Sequence, residues 1–284
     1  MQAGLIIVHW NRPSECARTV QAFRRQGVDL SVFVVDSGSR SGELNALRCA
    51  LSGVEIISLE HNVGYGPGMN VGLARWLAAT TQPWVALAPH DALPHPGCLP
   101  LLLETLASRP RAGIACAEFG LPVIPRFEWL RGLSQAPCSP ADGWQPIDFP
   151  NGTLMVLRRQ MVEEIGLFSE QYFAYGDEAE FAARARRAGW EVGQVWGAVV
   201  ENPTREASSR LVRYLLMRNN LLATYQIAGA CPALLATLVS LVNVVRFLVR
   251  PSLRLDGYST GLRLRAIKDF WLGRLGKPSA DLFL

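Results

Sequence analysis

"AGLIIVHWNRPSECARTVQAFRRQGVDLSVFVVD", residues 3–36, decides the fold. Ala3 to Val8 are continuously apolar, the pattern of a strand covered on both faces rather than one. Pro13 then opens a segment, 13–26, in which Ala17, Val20 and Phe23 recur at helical spacing, and Gly27 closes it. Residues 30–36 form a second apolar strand. Strand, helix and strand in so short a stretch make a βαβ unit, whose crossover requires parallel strands and a right-handed connection.

The same rhythm runs on. Residues 43–51, 68–79 and 99–108 read as helices, and 54–59, 84–88 and 112–117 as strands. The class is therefore α/β, with a doubly wound, mostly parallel sheet and flanking helices. Residues 118–149 interrupt it with Pro, Gly and aromatics, including Trp129 and Trp144. They read as an irregular connection or short hairpin, and a long connection inside such a domain usually serves function. Residues 151–159 resume a strand, 176–189 a helix and 190–196 a strand. After 206 the chain reads as all helical, so the expected division is 1–204 for the α/β domain and 205–284 for a helical appendage.

Charge follows that division. Residues 1–204 carry 16 basic and 20 acidic side chains, against 12 and 4 for 205–284. Within the basic part, residues 227–245 carry no charge and are bounded by Arg246, Arg250 and Arg254. This run crosses a bilayer, lies on one, or packs on the domain or a second copy; hydropathy alone leaves all three open. The six cysteines include no C-x-x-C pair and no zinc-like cluster with His, and the N-terminal apolar run is short with no basic segment before it. A reduced cytoplasmic protein without a structural zinc is the expectation. Basic residues follow apolar helices rather than an aromatic-lined groove, which excludes nucleic acid as the expected partner.

In open α/β sheets ligands sit beyond the carboxyl ends of the strands. Those ends are chemically marked here. The first is "HWNRP" (9–13), with His9 and Asn11; the second is "DSGSRSG" (36–42), opened by Asp36. The third, "EHNVGYGPGMNVG" (60–72), places Asn62 and Gly64 before a helix that carries Asn70. The fourth, "PHDALP" (89–94), offers Asp91, a carboxylate able to hold a divalent cation that itself holds a diphosphate. Farther along, "YFAYGDEAEF" (172–181) sets Asp177, Glu178 and Glu180 at a helix N-terminus, where amides and the helix dipole favour anions. A carboxylate there can take a proton from a substrate hydroxyl.

In order and spacing, "VHWNRP", "VVDSGSRSG", "EHNVGYGPGMNVGL", "FPNGTLMVLRR", "EEIGLFSEQYFAYGDEAEFAARARRAGW" and "YLLMRNN" resemble family 2 glycosyltransferases of the rhamnosyltransferase-like branch. The resemblance implies a GT-A type, Rossmann-like fold with a C-terminal helical appendage. It implies an inverting transfer of sugar from a dTDP- or UDP-sugar to a hydroxyl of a glycan, lipid-linked or natural-product acceptor. The alternative is a non-catalytic nucleotide- or glycan-binding relative with a degenerate metal site. Carried over, Glu178 is the catalytic base and Asp177 its reserve. Asp36, Asn62, Gly64, Asn70, His9 and Asn11 form the nucleotide side, and Asp91 holds Mg²⁺ or Mn²⁺. Arg218 matches the family's Arg-Asn pair. The pattern departs from the family where Pro89 replaces a second acid, where Glu201 or Asn202 replaces a histidine, and in the swapped acid order at 177–178. The expected location is cytoplasmic, with the basic tail touching the membrane face peripherally or pairing two copies.

Overall fold

The computed structural model describes residues 1–130, 132–139, 143–203, 210–250, 252 and 258–283. In chain order the elements are β1 (Gln2–His9), α1 (Pro13–Arg24), β2 (Asp29–Asp36), α2 (Ser41–Ala50), β3 (Glu55–Ser58), α3 (Tyr65–Ala79), β4 (Trp84–Pro89), β5 (Leu93–Pro94), α4 (Cys98–Ser108), β6 (Ala112–Glu118), β7 (Val123–Glu128), β8 (Gly132–Pro137), β9 (Trp144–Pro146), β10 (Met155–Arg158), α5 (Arg159–Ile165), α6 (Asp177–Arg187), β11 (Glu191–Glu201), α7 (Arg210–Ala228), α8 (Ala230–Val249) and α9 (Thr260–Trp271). The main sheet has the order β3-β2-β1-β4-β10-β6-β11-β5, with β9 added on β11.

Strand residues alternate between two cores, as a pleated strand covered on both faces must. From β1, Ala3, Leu5 and Ile7 join Cys16, Val20 and Phe23 of α1 and Leu99, Leu102 and Leu103 of α4 on one face. Ile6 and Val8 join Met69, Leu73 and Trp76 of α3 and Phe181 of α6 on the other. The apolar run that reads as a doubly covered strand is therefore one.

The sheet is mostly but not wholly parallel. β10 runs antiparallel between β4 and β6, with Met155 opposite both Leu87 and Cys116. β6 ends at the carboxyl edge, and the chain re-enters the sheet from that edge after residues 118–149, so it can only run back. The consequence is functional: the segment before β10, Asn151–Gly152, lies beside the end of β4 rather than at the far side of the sheet.

Other boundaries differ from the sequence reading. Only Met155–Arg158 of 151–159 is strand, and Arg159 already opens α5. α3 begins at Tyr65 rather than 68, and β11 continues to Glu201 through a register shift between Gln194 and Val199. Val123–Glu128 and Gly132–Pro137 pair as β7 and β8, a separate two-stranded sheet. The division at 204/205 and Arg254 fall outside the described residues.

The helical tail is anchored on the acid-bearing turn. Arg218 of α7, fully buried, donates to the carbonyls of Arg274 and Gly276. Asn219 donates to the carbonyls of Ala174 and Tyr175. Tyr175 has φ +66°, a left-handed conformation costly for a non-glycine residue. The Asn219 amide offsets that strain, so α7 fixes the turn that leads into α6.

Candidate active site

Three strand-end turns are stitched into one platform. Parallel register sets His9 beside Asp36. His9 Nδ1 lies 2.8 Å from Asp36 Oδ1, and the Arg12 amide donates to His9 Nε2 at 3.0 Å. An Nε2 that accepts fixes the neutral tautomer, so Nδ1–H donates to Asp36. Asp36 Oδ2 accepts from the Ser39 amide. Burial pushes the Asp36 carboxyl up, and the His9 and Ser39 hydrogen bonds more than offset it, leaving it below the usual range. Asn11, at φ +53°, donates its amide to Ser39 Oγ and accepts from the Arg40 amide. Asn62 Oδ1 accepts from Ser37 Oγ and from the Gly64 amide, joining the third turn to the second.

The glycine loop and the acid-bearing turn are locked together. The Tyr65 amide donates to the Phe173 carbonyl at 2.7 Å. Gly64 adopts φ +95°, and a Cβ there would strike that same carbonyl oxygen. Gly64→Ala is accordingly expected to destabilise the fold by about 2–3 kcal/mol, through left-handed strain together with a backbone clash. Urea denaturation measures it, and a loss below about 0.5 kcal/mol contradicts the docking.

Around this junction the acids separate into roles. Glu180 pairs with Arg184 at 2.7 Å, and Arg184 in turn caps the Ile165 and Leu167 carbonyls, so Glu180 is structural. Asp177 is fully buried with neither carboxylate oxygen hydrogen-bonded, and Oδ2 packs where a Gly66 side chain would stand. Burial first, and then the charge of Glu178, push its carboxyl well above the usual range. Glu178 is half-buried, and its Oε2 accepts from the Gly176 amide at 3.1 Å. Its Oε1 lies against Gly152, where any Cβ would collide with it. The reversed strand β10 thus brings its leading glycine to the carboxylate of α6.

Tyr65 joins the two sides. Its hydroxyl donates to the Gly152 carbonyl at 2.7 Å. Burial, then the charges of Glu178, Asp177 and Asp91, raise its pKa, which keeps the phenol protonated as a donor. The acid groups of Asp91, beyond β4, and of Asp177 and Glu178, at the start of α6, thus lie within electrostatic reach of one phenol at the carboxyl end of the sheet. Asp91 itself is largely buried just beyond β4. Beside it His90 stacks edge-on against His9, ring centroids 5.8 Å apart. Burial holds His90 below its ordinary pKa despite the pull of Asp91.

The glycosyl transferase family 2 model matches residues 5–166, more than half of the chain, and ends just short of the acid-bearing turn. The chain belongs to glycosyl transferase family 2. It is similar to the N-acetylglucosaminyl-diphospho-decaprenol L-rhamnosyltransferase of Mycobacterium tuberculosis, 25% identical over 193 residues, 57% of this chain and 62% of that protein. The match thus spans under two thirds of the relative's length. It is also similar to the low-salt glycan biosynthesis hexosyltransferase Agl10 of Haloferax volcanii, 30% identical over 210 residues, 69% of this chain and 67% of that one. Among solved structures, the Pyrobaculum calidifontis mannosyltransferase in complex with GDP-Man and Mn²⁺ superposes with a TM-score of 0.63 at 17% identity, covering 95% of this chain and 86% of that one. GalNAc-T7 with UDP, GalNAc and Mn²⁺ gives 0.62 at 11% identity, covering 97% and 55%. These two likenesses establish the GT-A fold.

Within this family 2 chain, three residues singled out from the sequence are engaged by other parts of the fold. Asn70 is buried, and its amide both donates to the Phe168 carbonyl and accepts from the Phe168 amide. It locks α3 to residue 168. Asp36 is likewise covered, with both oxygens engaged in the platform. Glu201 pairs with His95 at 2.6 Å. Of the tryptophans, Trp144 packs over Gly193 and under Arg109, whereas Trp129 at the β7–β8 tip is half exposed. Of these two, Trp129 is the more open to solvent.

Among the described residues no group of three or more His, Cys, Asp or Glu forms a ready-made metal cage. Asp91 still fits Mg²⁺ or Mn²⁺ of the kind that one or two carboxylates share with substrate phosphates. Tyr65 has no sequence signal beyond its place inside the glycine loop, whereas Asn219 is the asparagine of the Arg-Asn pair at 218–219.

Proposed function

We propose that this chain is an inverting glycosyltransferase that moves a sugar from a dTDP- or UDP-sugar to a hydroxyl of a lipid-linked glycan at the cytoplasmic membrane face. The observation that carries it is the separation of the two acids of α6. Asp177 is sealed, and burial raises its pKa, while the half-buried Glu178 sets its Oε1 against Gly152. One carboxylate is thereby left as a base. The lipid-linked acceptor is supported by the mycobacterial relative, named for an N-acetylglucosaminyl-diphospho-decaprenol substrate.

In this reading the nucleotide lies over the His9–Asp36–Asn62 platform and the Gly64 loop, whose rigidity comes from the hydrogen bonds described above. Asp91 would hold a divalent cation together with the diphosphate, which offsets the charge left on the departing group. Glu178 removes the acceptor hydroxyl proton as that oxygen attacks the anomeric carbon from the face opposite the diphosphate. The glycosidic C–O bond forms as the bond to the nucleoside diphosphate breaks, in one displacement that inverts the configuration. Tyr65 holds the Gly152 carbonyl, which keeps the base and its neighbouring backbone in place.

Thermal-shift titration of the wild-type chain with UDP, dTDP, GDP and ADP, each with and without Mn²⁺ or Mg²⁺, tests the donor side. At saturating nucleotide, about 100 times Kd, a shift equivalent to about 2.7 kcal/mol is expected for one pyrimidine diphosphate with metal. No shift with any of the four overturns the assignment.

A further inference from the structure

We infer that α8 lies in the plane of an anionic bilayer surface, its outward face seated among the lipid headgroups and acyl boundary, and does not cross the membrane. By length and composition α8 could span: it has 20 residues, about 30 Å of helix, and a mean hydropathy of 2.0. Its packing decides otherwise. Ala233, Thr237, Ser240, Val244 and Phe247 follow one another at alternating steps of four and three, a single helical stripe. That stripe is held to the body from end to end. Ala233, Thr237 and Val244 are buried. Thr237 accepts from Trp271 of α9, Ser240 accepts from Arg263, and the Phe247 ring meets Tyr258 at 4.7 Å. A helix fastened along its whole length to a polar body cannot have that body follow it through a bilayer.

The other face is apolar and uncovered. Leu234, Leu235, Leu238, Val239, Val242, Val245, Leu248 and Val249 are exposed, Val242 by 66%, and only 17% of the apolar window is buried. A soluble core helix would be the reverse. Trp271 and Leu272 at the end of α9 are also exposed, adjoining α8 through the Trp271–Thr237 bond. A tryptophan there suits the membrane–water boundary.

Charge selects the occupant. Arg246 and Arg250 are exposed at the carboxyl end of α8, and the helix has no acidic residue. A second copy packed face to face through α8 would offer these arginines no acid from its own α8. Anionic lipid phosphates meet both arginines, and each strengthens attraction to such a surface.

Flotation of the full chain with vesicles tests this without donor or acceptor, so it stands or falls apart from the transferase reading. The chain is expected to float with phosphatidylglycerol–phosphatidylcholine vesicles, less with phosphatidylcholine alone. Leu238→Gln/Val242→Gln/Val249→Gln is expected to lower partitioning at least about tenfold with an unchanged Tm, because the three side chains are exposed. Arg246→Glu/Arg250→Glu is expected to erase the preference for anionic lipid. In a Cys49→Ser/Cys231→Ser background, an impermeant maleimide added outside should label both an introduced Ala228→Cys and an introduced Ser252→Cys, exposed positions that flank α8 at either end. Protection of one end until detergent is added means a span and overturns the proposal. So does absence of flotation, flotation indifferent to the triple substitution, or a dimer that the triple substitution dissociates while lipid binding is absent.

Discussion

Glu178→Gln is expected to lower kcat by about 10²–10⁴-fold, about 3–5 kcal/mol of barrier, while leaving nucleoside diphosphate binding within a few-fold of wild type. The amide keeps the shape and the contact with the Gly176 amide but cannot take a proton. Asp177→Asn separates this role from its neighbour's. A buried acid already held protonated is close to an asparagine in shape and charge, so the loss in kcat should be small. Stability gives the second readout. Because burial raises the Asp177 pKa in the folded state, folding favours the protonated form. That preference is free below the unfolded value near pH 4 and turns into a growing penalty as pH rises above it, until the folded group itself ionises. The Asp177→Asn variant should therefore melt higher than wild type at neutral pH, with the gap closing toward about pH 4. Single-turnover kinetics and melting curves across pH check both halves. A Glu178→Gln enzyme with near-wild-type turnover, or an Asp177→Asn enzyme as dead as Glu178→Gln, would reverse the assignment.

Asp91→Ala should remove the metal-dependent part of nucleotide binding and cut kcat/KM by about 10²–10³-fold, since among the described residues no group of three or more His, Cys, Asp or Glu stands ready to take over the cation. Metal-free nucleotide affinity should change little, because the His9–Asp36–Asn62 platform is built from its own hydrogen bonds. Calorimetric titration with UDP or dTDP in the presence of Mn²⁺ and of a chelator distinguishes the two contributions. If Asp91→Ala binds and turns over with the same Mn²⁺ dependence as the parent, the carboxylate is not the metal's ligand.

Much of the molecule could be read before its structure was known. The continuous apolar run of residues 3–8 reads as a strand covered on both faces, the βαβ rhythm makes its pairing parallel, and the helix between 13 and 26 follows from its apolar spacing and its glycine stop. The acids at 177, 178 and 180 announce a helix N-terminus, and "HNVGYGPG" announces a turn into another. What could not be read is which acid does what, because desolvation depends on partners remote in sequence. Asp177 is sealed by Gly66, Glu180 is neutralised by Arg184, and Glu178 is left facing Gly152.

The sequence alone determined the α/β class, the order of its elements and the strand ends at which ligands gather, because local periodicity and turn chemistry act within a few residues. Tertiary structure alone decided that β10 runs backward to carry Gly152 to Glu178, that Asn70 bonds to residue 168 and Asp36 to His9, and that α8 rests along the body. The physical reason is common to all three. Each depends on which distant groups exclude water from a side chain or take its hydrogen bonds, and those contacts exist only once the sheet has closed.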